Sequence, residues 1–195
     1  MDDKVLEAAR EEFLEVGYPK ASLRRICAQA GVTTGTIYSR FGGKDELFEA
    51  VIDPFLKEID KMQEARSEEM VAQVKRGQFG SVWHNTEKDL RTFMVLFANH
   101  ADEVKMLGNC EGSKYENYIF EMCEREVEAN YDVMAFLRKR GLIRSLPEKE
   151  TLSLLLHAYY MAFLEPIQKG YTEAELAAYG KVLAKLYNWR IVFNS

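Results

Sequence analysis

Along most of the chain, apolar residues recur at three- and four-residue steps, the spacing of an amphipathic α-helix; alternating strand patterns do not appear. Val5, Leu6, Ala9, Phe13 and Leu14 share one face of a helix that runs from about residue 3 to Val16. Gly17 stops it, and Tyr18-Pro19 form the connection. Ser22 is placed to cap a short helix carrying Leu23, Ile26, Cys27 and Ala30, which Gly31 ends. Thr33 starts the next, with Ile37, Tyr38 and Phe41, and Gly42-Gly43 break it. A fourth begins near Lys44 with Leu47, Phe48, Val51 and Ile52, and beyond Pro54 a longer polar helix covers 55–80. Further helices are predicted over 90–101, 113–137, 148–165 and 172–192, with an irregular piece between Gly108 and Gly112. The fold class is all-α: three short helices joined by tight glycine turns, then a larger helical bundle.

Composition changes this picture little. The 195 residues are 47% hydrophobic and 29% charged, ordinary values for a globular protein that holds its core without staples. Cys27, Cys110 and Cys123 are odd in number and widely spaced, which argues against a disulfide framework or a structural zinc site. The N-terminus runs directly into an amphipathic pattern, with no signal peptide visible. The longest apolar run, 152–164, is broken by Ser153 and His157 and is too short to span a bilayer. These features predict a cytoplasmic chain.

Charge matters more by its distribution than by its total. The net charge is −5, yet the stretch from Lys20 to Lys44 contains Lys20, Arg24, Arg25, Arg40 and Lys44 and no Asp or Glu. An acidic chain with one wholly basic window has a local footprint for nucleic acid. The same window has the layout of a helix-turn-helix. Ala28 is small enough for a helix crossing, Gly31 tolerates a left-handed turn, and Val32 anchors the second helix, which buries Ile37 and Phe41. Thr33, Thr34, Gly35, Thr36, Tyr38, Ser39 and Arg40 remain for other faces. Small hydroxyl side chains at the start of such a helix suit entry into the major groove, and Gly35 allows close approach. Lys44 stands near a helix start, where free N–H groups favour a phosphate.

On these residues the N-terminal segment resembles the TetR family of bacterial transcriptional regulators. The match covers residues 5–54 and includes Phe13, Gly17-Tyr18, Ser22, Ile26, Ala30-Gly31-Val32, Gly35-Thr36-Ile37-Tyr38, Phe41 and Lys44-Asp45-Glu46-Leu47. The resemblance implies a DNA-binding domain over 1–47 and a ligand-binding and dimerisation domain over 48–195. It also implies a homodimer reading a palindromic operator on double-stranded DNA. Ser22, Thr33, Thr36, Tyr38 and Lys44 fall on positions that bind phosphates in the family, and Arg25, Thr34 and Gly35 on positions that touch bases. Many members have a basic arm before the first helix; here Asp2 and Asp3 stand there instead.

The rest of the chain is larger than a reader of DNA needs. Wide apolar faces lie on the last two helices, and Leu155, Tyr159 and Phe163 with Tyr179, Leu183 and Leu186 are the candidates for an intermolecular four-helix bundle. The alternative is that they complete the monomer core. The resemblance further implies a cavity for a small-molecule inducer, with Phe93, Phe97, Met106, Tyr115, Tyr118, Met122 and His157 as candidate lining, among central helices that also carry Trp83. The bland alternative is an ordinary aromatic and methionine core. Glu111, Glu116, Glu121, Glu124, Glu126 and Glu128 read as a solvated acidic face, the alternative being a cationic ligand if one or two of them point inward. His84 near Glu87 lacks a second histidine, so no metal is assigned, and no cofactor motif is present. Without a nucleophile-base pair, a cofactor loop or an HExxH, the chain is not read as an enzyme. The expected function is a ligand-responsive regulator, a repressor in the family's manner. The alternatives are a DNA-binding regulator without a ligand and, further off, a helical enzyme.

Overall fold

The computed structural model describes residues 2–78, 86–187 and 189–194 and, within them, all side chains except those of 86–90, 190 and 194. Among the described residues the regular structure is helical: α1 Asp2–Lys20, α2 Leu23–Ala30, α3 Thr34–Arg40, α4 Lys44–Lys75, α5 Thr86–Asn99, α6 Ala101–Leu107, α7 Tyr118–Lys139, α8 Lys149–Gln168, α9 Glu173–Leu186 and α10 Trp189–Asn194. None of the described helices is long and apolar enough to cross a membrane. The chain divides into two compact units, Met1–Asp60 with His100–Tyr118, and Lys61–Asn99 with Ile119–Ser195.

In the first unit α1, α2, α3 and the start of α4 close around Val5, Phe13, Ile26, Ile37, Leu47, Phe48 and Ile52, which are almost fully buried. The Phe48 ring meets Phe13 edge-on at 4.9 Å between centroids and Tyr18 at 5.3 Å. Met106 and Cys110, distant in sequence, belong to the same core. They are brought there by two contacts to α1. Arg10 on α1 bridges Asp102 at 3.1 Å and Glu103 at 2.5 Å on α6. At the other end of α1, Gly17 takes φ 74° and ψ 161°, and the Tyr18 N–H donates to the Asn109 carbonyl at 2.9 Å. A Cβ on Gly17 would stand 3.3 Å from that carbonyl oxygen, so both the backbone angle and the space favour glycine here.

Among the described residues the second unit has two apolar clusters. Phe93 and Phe97 of α5 pack with Tyr160 and Phe163 of α8 at centroid distances of 5.3–6.5 Å. Val127, Met134, Leu137, Ile143, Leu152 and Phe193 form the other, which the Phe193 carbonyl helps close by accepting from the amides of Arg144 and Ser145. Helix α9 opens on a capping box in which Thr172 and Glu175 bond each other's backbone amides.

Several boundaries differ from the sequence expectation. Pro54 does not end a helix: α4 continues through it because Ile52, Phe55 and Ile59 on either side are all fully buried, and that burial outweighs one missing N–H bond. Pro166 is likewise inside α8. Residues 101–107 form a separate short helix, and α7 begins at Tyr118 rather than near 113 because residues before it make turns, with the Tyr115 N–H donating to Ser113 Oγ at 3.1 Å. The last predicted helix is two, α9 and α10, broken at Tyr187.

Candidate nucleic-acid interface

Helices α2 and α3 are joined by a turn built on Gly31, whose φ of 70° and ψ of 34° are left-handed, and the Val32 N–H closes the turn on the Cys27 carbonyl at 3.0 Å. The small residue buried beneath this turn is Cys27, not Ala28, which is exposed. One-residue rotation of the helix face separates the two, and the apolar period Ile26-Cys27-Ala30 already favoured Cys27. Thr33 caps α3: its Oγ1 accepts the Thr36 N–H at 3.3 Å and lies 3.1 Å from the Thr36 hydroxyl. Ile37 anchors the helix inside with no exposed surface.

That leaves Thr33, Thr34, Gly35, Tyr38, Ser39 and Arg40 on the outside of α3, with Tyr38 59% exposed. Gly35 has ordinary helical backbone, and a Cβ there would meet only Thr33 Oγ1, at 3.7 Å. The fold itself does not require glycine at this position.

The basic window is free of acids in sequence but not in space. Glu12 on α1 is 6% exposed and faces α2. Its Oε1 accepts the Ser22 N–H at 2.7 Å and Arg25 Nη2 at 2.5 Å, while Arg25 Nε lies 2.9 and 3.0 Å from the two carboxylate oxygens. Arg25 Nη2 also donates to the Lys20 carbonyl at 3.1 Å. The Arg25 hydrogen bonds, joined by the Ser22 amide, hold the Glu12 carboxyl below its ordinary range against the opposing effect of burial. Ser22 thus stands at the helix N-cap position, but its side chain makes no cap bond and Glu12 takes its amide instead. Arg40 pairs with Asp2, and Gln29 donates to Glu11. Arg24 and Lys20 are exposed and form no ion pair among the described residues. Lys44 Nζ sits 4.3 Å from the centre of the Tyr18 ring, whose hydroxyl donates to Asp45 at 2.8 Å.

The ligand-pocket candidates are divided between the two units. Met106, Tyr115 and Tyr118 lie in the first unit, where Met106 and Tyr115 pack on the helix-turn-helix core. Phe93, Phe97 and Met122 are buried in the second, and His157 meets Phe120 edge-on at 5.6 Å. Of the six glutamates expected on a solvated face, Glu126 turns inward with a side chain 13% exposed. It accepts from Gln63 at 3.0 Å, Arg66 at 2.9 Å and the buried Tyr160 hydroxyl at 2.9 Å. Its position one turn from Met122, Cys123 and Asn130 is the sequence signal that marks it as inward-facing. Burial first, and then the Glu126 charge, push the Cys123 thiol up to about 12.

Of the dimerisation candidates, Tyr159, Phe163 and Leu183 belong to the chain's own core, at 4%, 0% and 3% exposure. Tyr179 is half-buried and donates to the Ala162 carbonyl at 2.7 Å. Leu155 and Leu186 are exposed, as are Leu154, Met161 and Val182, which sequence reasoning did not single out. Among the described residues no three His, Cys, Asp or Glu side chains group to hold a metal. His84 and the Glu87 side chain, together with Trp83, lie outside the described residues.

Residues 5–51 match the family model described as bacterial regulatory proteins, tetR family. The chain is 28% identical over 190 residues to the HTH-type transcriptional repressor BepR of Brucella suis biovar 1, a match covering 91% of this chain and 85% of BepR. It is 33% identical over 112 residues to the HTH-type transcriptional repressor AcnR of Corynebacterium glutamicum, covering 53% of this chain and 58% of AcnR. Among solved structures, the Bacillus subtilis regulator FadR in complex with stearoyl-CoA is similar with a TM-score of 0.58 at 17% identity, covering 97% of this chain and 99% of that one. The TetR family regulator PfmR of Thermus thermophilus has a TM-score of 0.58 at 20% identity, covering 93% and 97%. At these identities the structural matches speak for the fold alone.

Proposed function

We propose that this chain, whose residues 5–51 match the TetR-family model, is a helix-turn-helix repressor of that kind, which binds a palindromic operator as a homodimer and is released by a small molecule. The observation that carries the DNA-contact part is the outward face of α3. Thr33, Thr34, Gly35 and Tyr38 form a polar, low-relief surface, and Gly35 lacks a side chain that the fold has room to hold. A surface that omits a tolerated side chain suits an external body that approaches closely, as a helix does in a major groove. In this reading Thr34 and Gly35 face base edges. Ser22, Thr33, Thr36 and Tyr38 face phosphates, joined by Lys44 at the start of α4.

The partner subunit is assigned to the exposed apolar side of α8 and α9. Leu154 and Met161 stand seven residues apart on one helix, and Val182 and Leu186 four apart on the other, so each pair shares a face. The inducer is assigned to the second unit, whose aromatic helices surround the Glu126 polar group. A regulator of the same DNA with no ligand is the second reading, favoured by the tight mutual packing of Phe93, Phe97, Tyr160 and Phe163.

Selection of bound sequences from random duplex DNA tests the core of this reading: a two-fold symmetric site should be enriched, and equal binding to all duplexes would end it. Gly35→Ala provides a sharper version. Alanine in a helix raises stability by about 0.5–1 kcal/mol relative to glycine, so this variant should melt higher yet bind the selected site more weakly. Thr34→Ala should change the preferred base, whereas Tyr38→Phe should weaken all duplexes by a similar factor. Small molecules that raise the melting temperature should also release the operator.

A further inference from the structure

Arg25 is the basic residue of the window most completely engaged by its own chain. Its guanidinium spends Nε and Nη2 on the two oxygens of Glu12, at 2.5–3.0 Å, and Nη2 on the Lys20 carbonyl. The same carboxylate takes the Ser22 amide at 2.7 Å, so one buried acid ties the start of α2 to α1 through both backbone and side chain. A paired guanidinium contributes almost no net charge at the distance of a DNA backbone. Its fork is directed at Glu12, and turning it toward a duplex would strand a carboxylate that is 6% exposed. Arg24, its neighbour, is exposed and forms no ion pair among the described residues.

We propose that Glu12 is a specificity-determining residue and Arg25 a positioning residue: Glu12 cancels one positive charge on the DNA-contact face and locks Arg25 into orienting α2. The consequence follows from what an arginine near phosphate does. Its attraction acts on every sequence alike, so cancelling it lowers non-specific binding while leaving the α3 side chains that meet bases unchanged. Arg24 and Lys44 then supply the sequence-independent attraction of this face, and Arg25 supplies the angle at which α2 delivers α3.

This inference rests on the DNA-contact face proposed above. Its test is the salt dependence of binding, measured by fluorescence anisotropy from 50 to 200 mM salt on a random-sequence duplex and on the selected site. Glu12→Gln keeps the shape and frees one charge. The slope of log K against log salt should steepen by about 0.9 for each protomer bound, a loss about threefold greater per protomer across that range. Non-specific binding at low salt should tighten, and the ratio of specific to non-specific affinity should fall. A merely structural role would lower the melting temperature and leave the slope alone. The double variant E12Q/R25Q removes both charges and should return the slope to that of the unaltered chain; it also serves if E12Q alone folds poorly. A slope unchanged in E12Q, or a double variant that loses about one unit of slope per protomer, would overturn the proposal, the latter by showing that Arg25 contacts phosphate. If the unaltered chain binds no duplex, both this inference and the contact face fall; if it binds and E12Q runs parallel to it, only this inference does.

Discussion

The Tyr18 hydroxyl donates to Asp45 Oδ1 at 2.8 Å, joining the end of α1 to the first turn of α4. Burial and the adjacent carboxylate push this phenol up to about 12, so it remains a donor throughout the physiological range. Tyr18→Phe removes the bond and keeps the ring under Lys44. It should cost about 1–2 kcal/mol in urea unfolding and reduce DNA affinity less than Lys44→Ala does. Equal stability of the two proteins would show that the bond does not hold this corner.

The Glu12 carboxyl sets a pH dependence with a definite sign. Its pKa is lowered in the folded chain, first by Arg25, so the folded state binds its proton less readily than the unfolded state. The stabilisation is complete above the ordinary carboxylate pKa and is lost as pH falls through the depressed one, below about pH 5. Urea unfolding from pH 7 to pH 3 should therefore show a smaller loss in E12Q than in the unaltered chain. Parallel curves would mean that the pair contributes nothing to acid sensitivity.

The two apolar sides of α9 should separate cleanly. Leu183 is 3% exposed, and Leu183→Ala should cost about 2–5 kcal/mol of folding stability. Leu186 is 76% exposed, and on the proposed dimer the unaltered chain should sediment as a dimer and Leu186→Glu should fold but sediment as a monomer. A dimer that survives both L186E and V182E moves the interface to another surface.

Glu126 is the centre of the second unit's polar core. Glu126→Ala leaves the Tyr160 hydroxyl buried without this acceptor and removes the carboxylate from Arg66, which should cost about 3 kcal/mol. Tyr160→Phe loses a single bond and should cost less. The reverse order, read from chemical unfolding, would mean that Arg66 and Gln63 find solvent readily once the acid is gone.

Local periodicity carries the helices, and it carries the buried positions of the helix-turn-helix closely, because Ile26, Ile37 and Phe48 answer to spacing within one element. It fails where the decisive partner lies on another. Glu12 reads as one more acid on α1 until α2 packs against it, and the wholly basic window then contains an ion pair. Pro54 and Pro166 read as stops because the rule for proline is local, whereas the burial that carries α4 through Pro54 is tertiary. Tyr159, Phe163 and Leu183 share the period of Leu155 and Leu186, and only packing separates those used within the chain from those left outside.

The Gly17–Asn109 contact has a consequence for modularity. The unit that holds the helix-turn-helix is assembled from two separate stretches of chain, with Val104, Met106 and Cys110 buried in the structure and Arg10 tied to Asp102 and Glu103. A graft that moves only the first sixty residues onto another protein would leave that apolar surface without its cover and that arginine without its acids. Recombination between relatives must therefore carry residues 100–118 along with the reader, or recreate their contacts, for the exchanged module to remain whole.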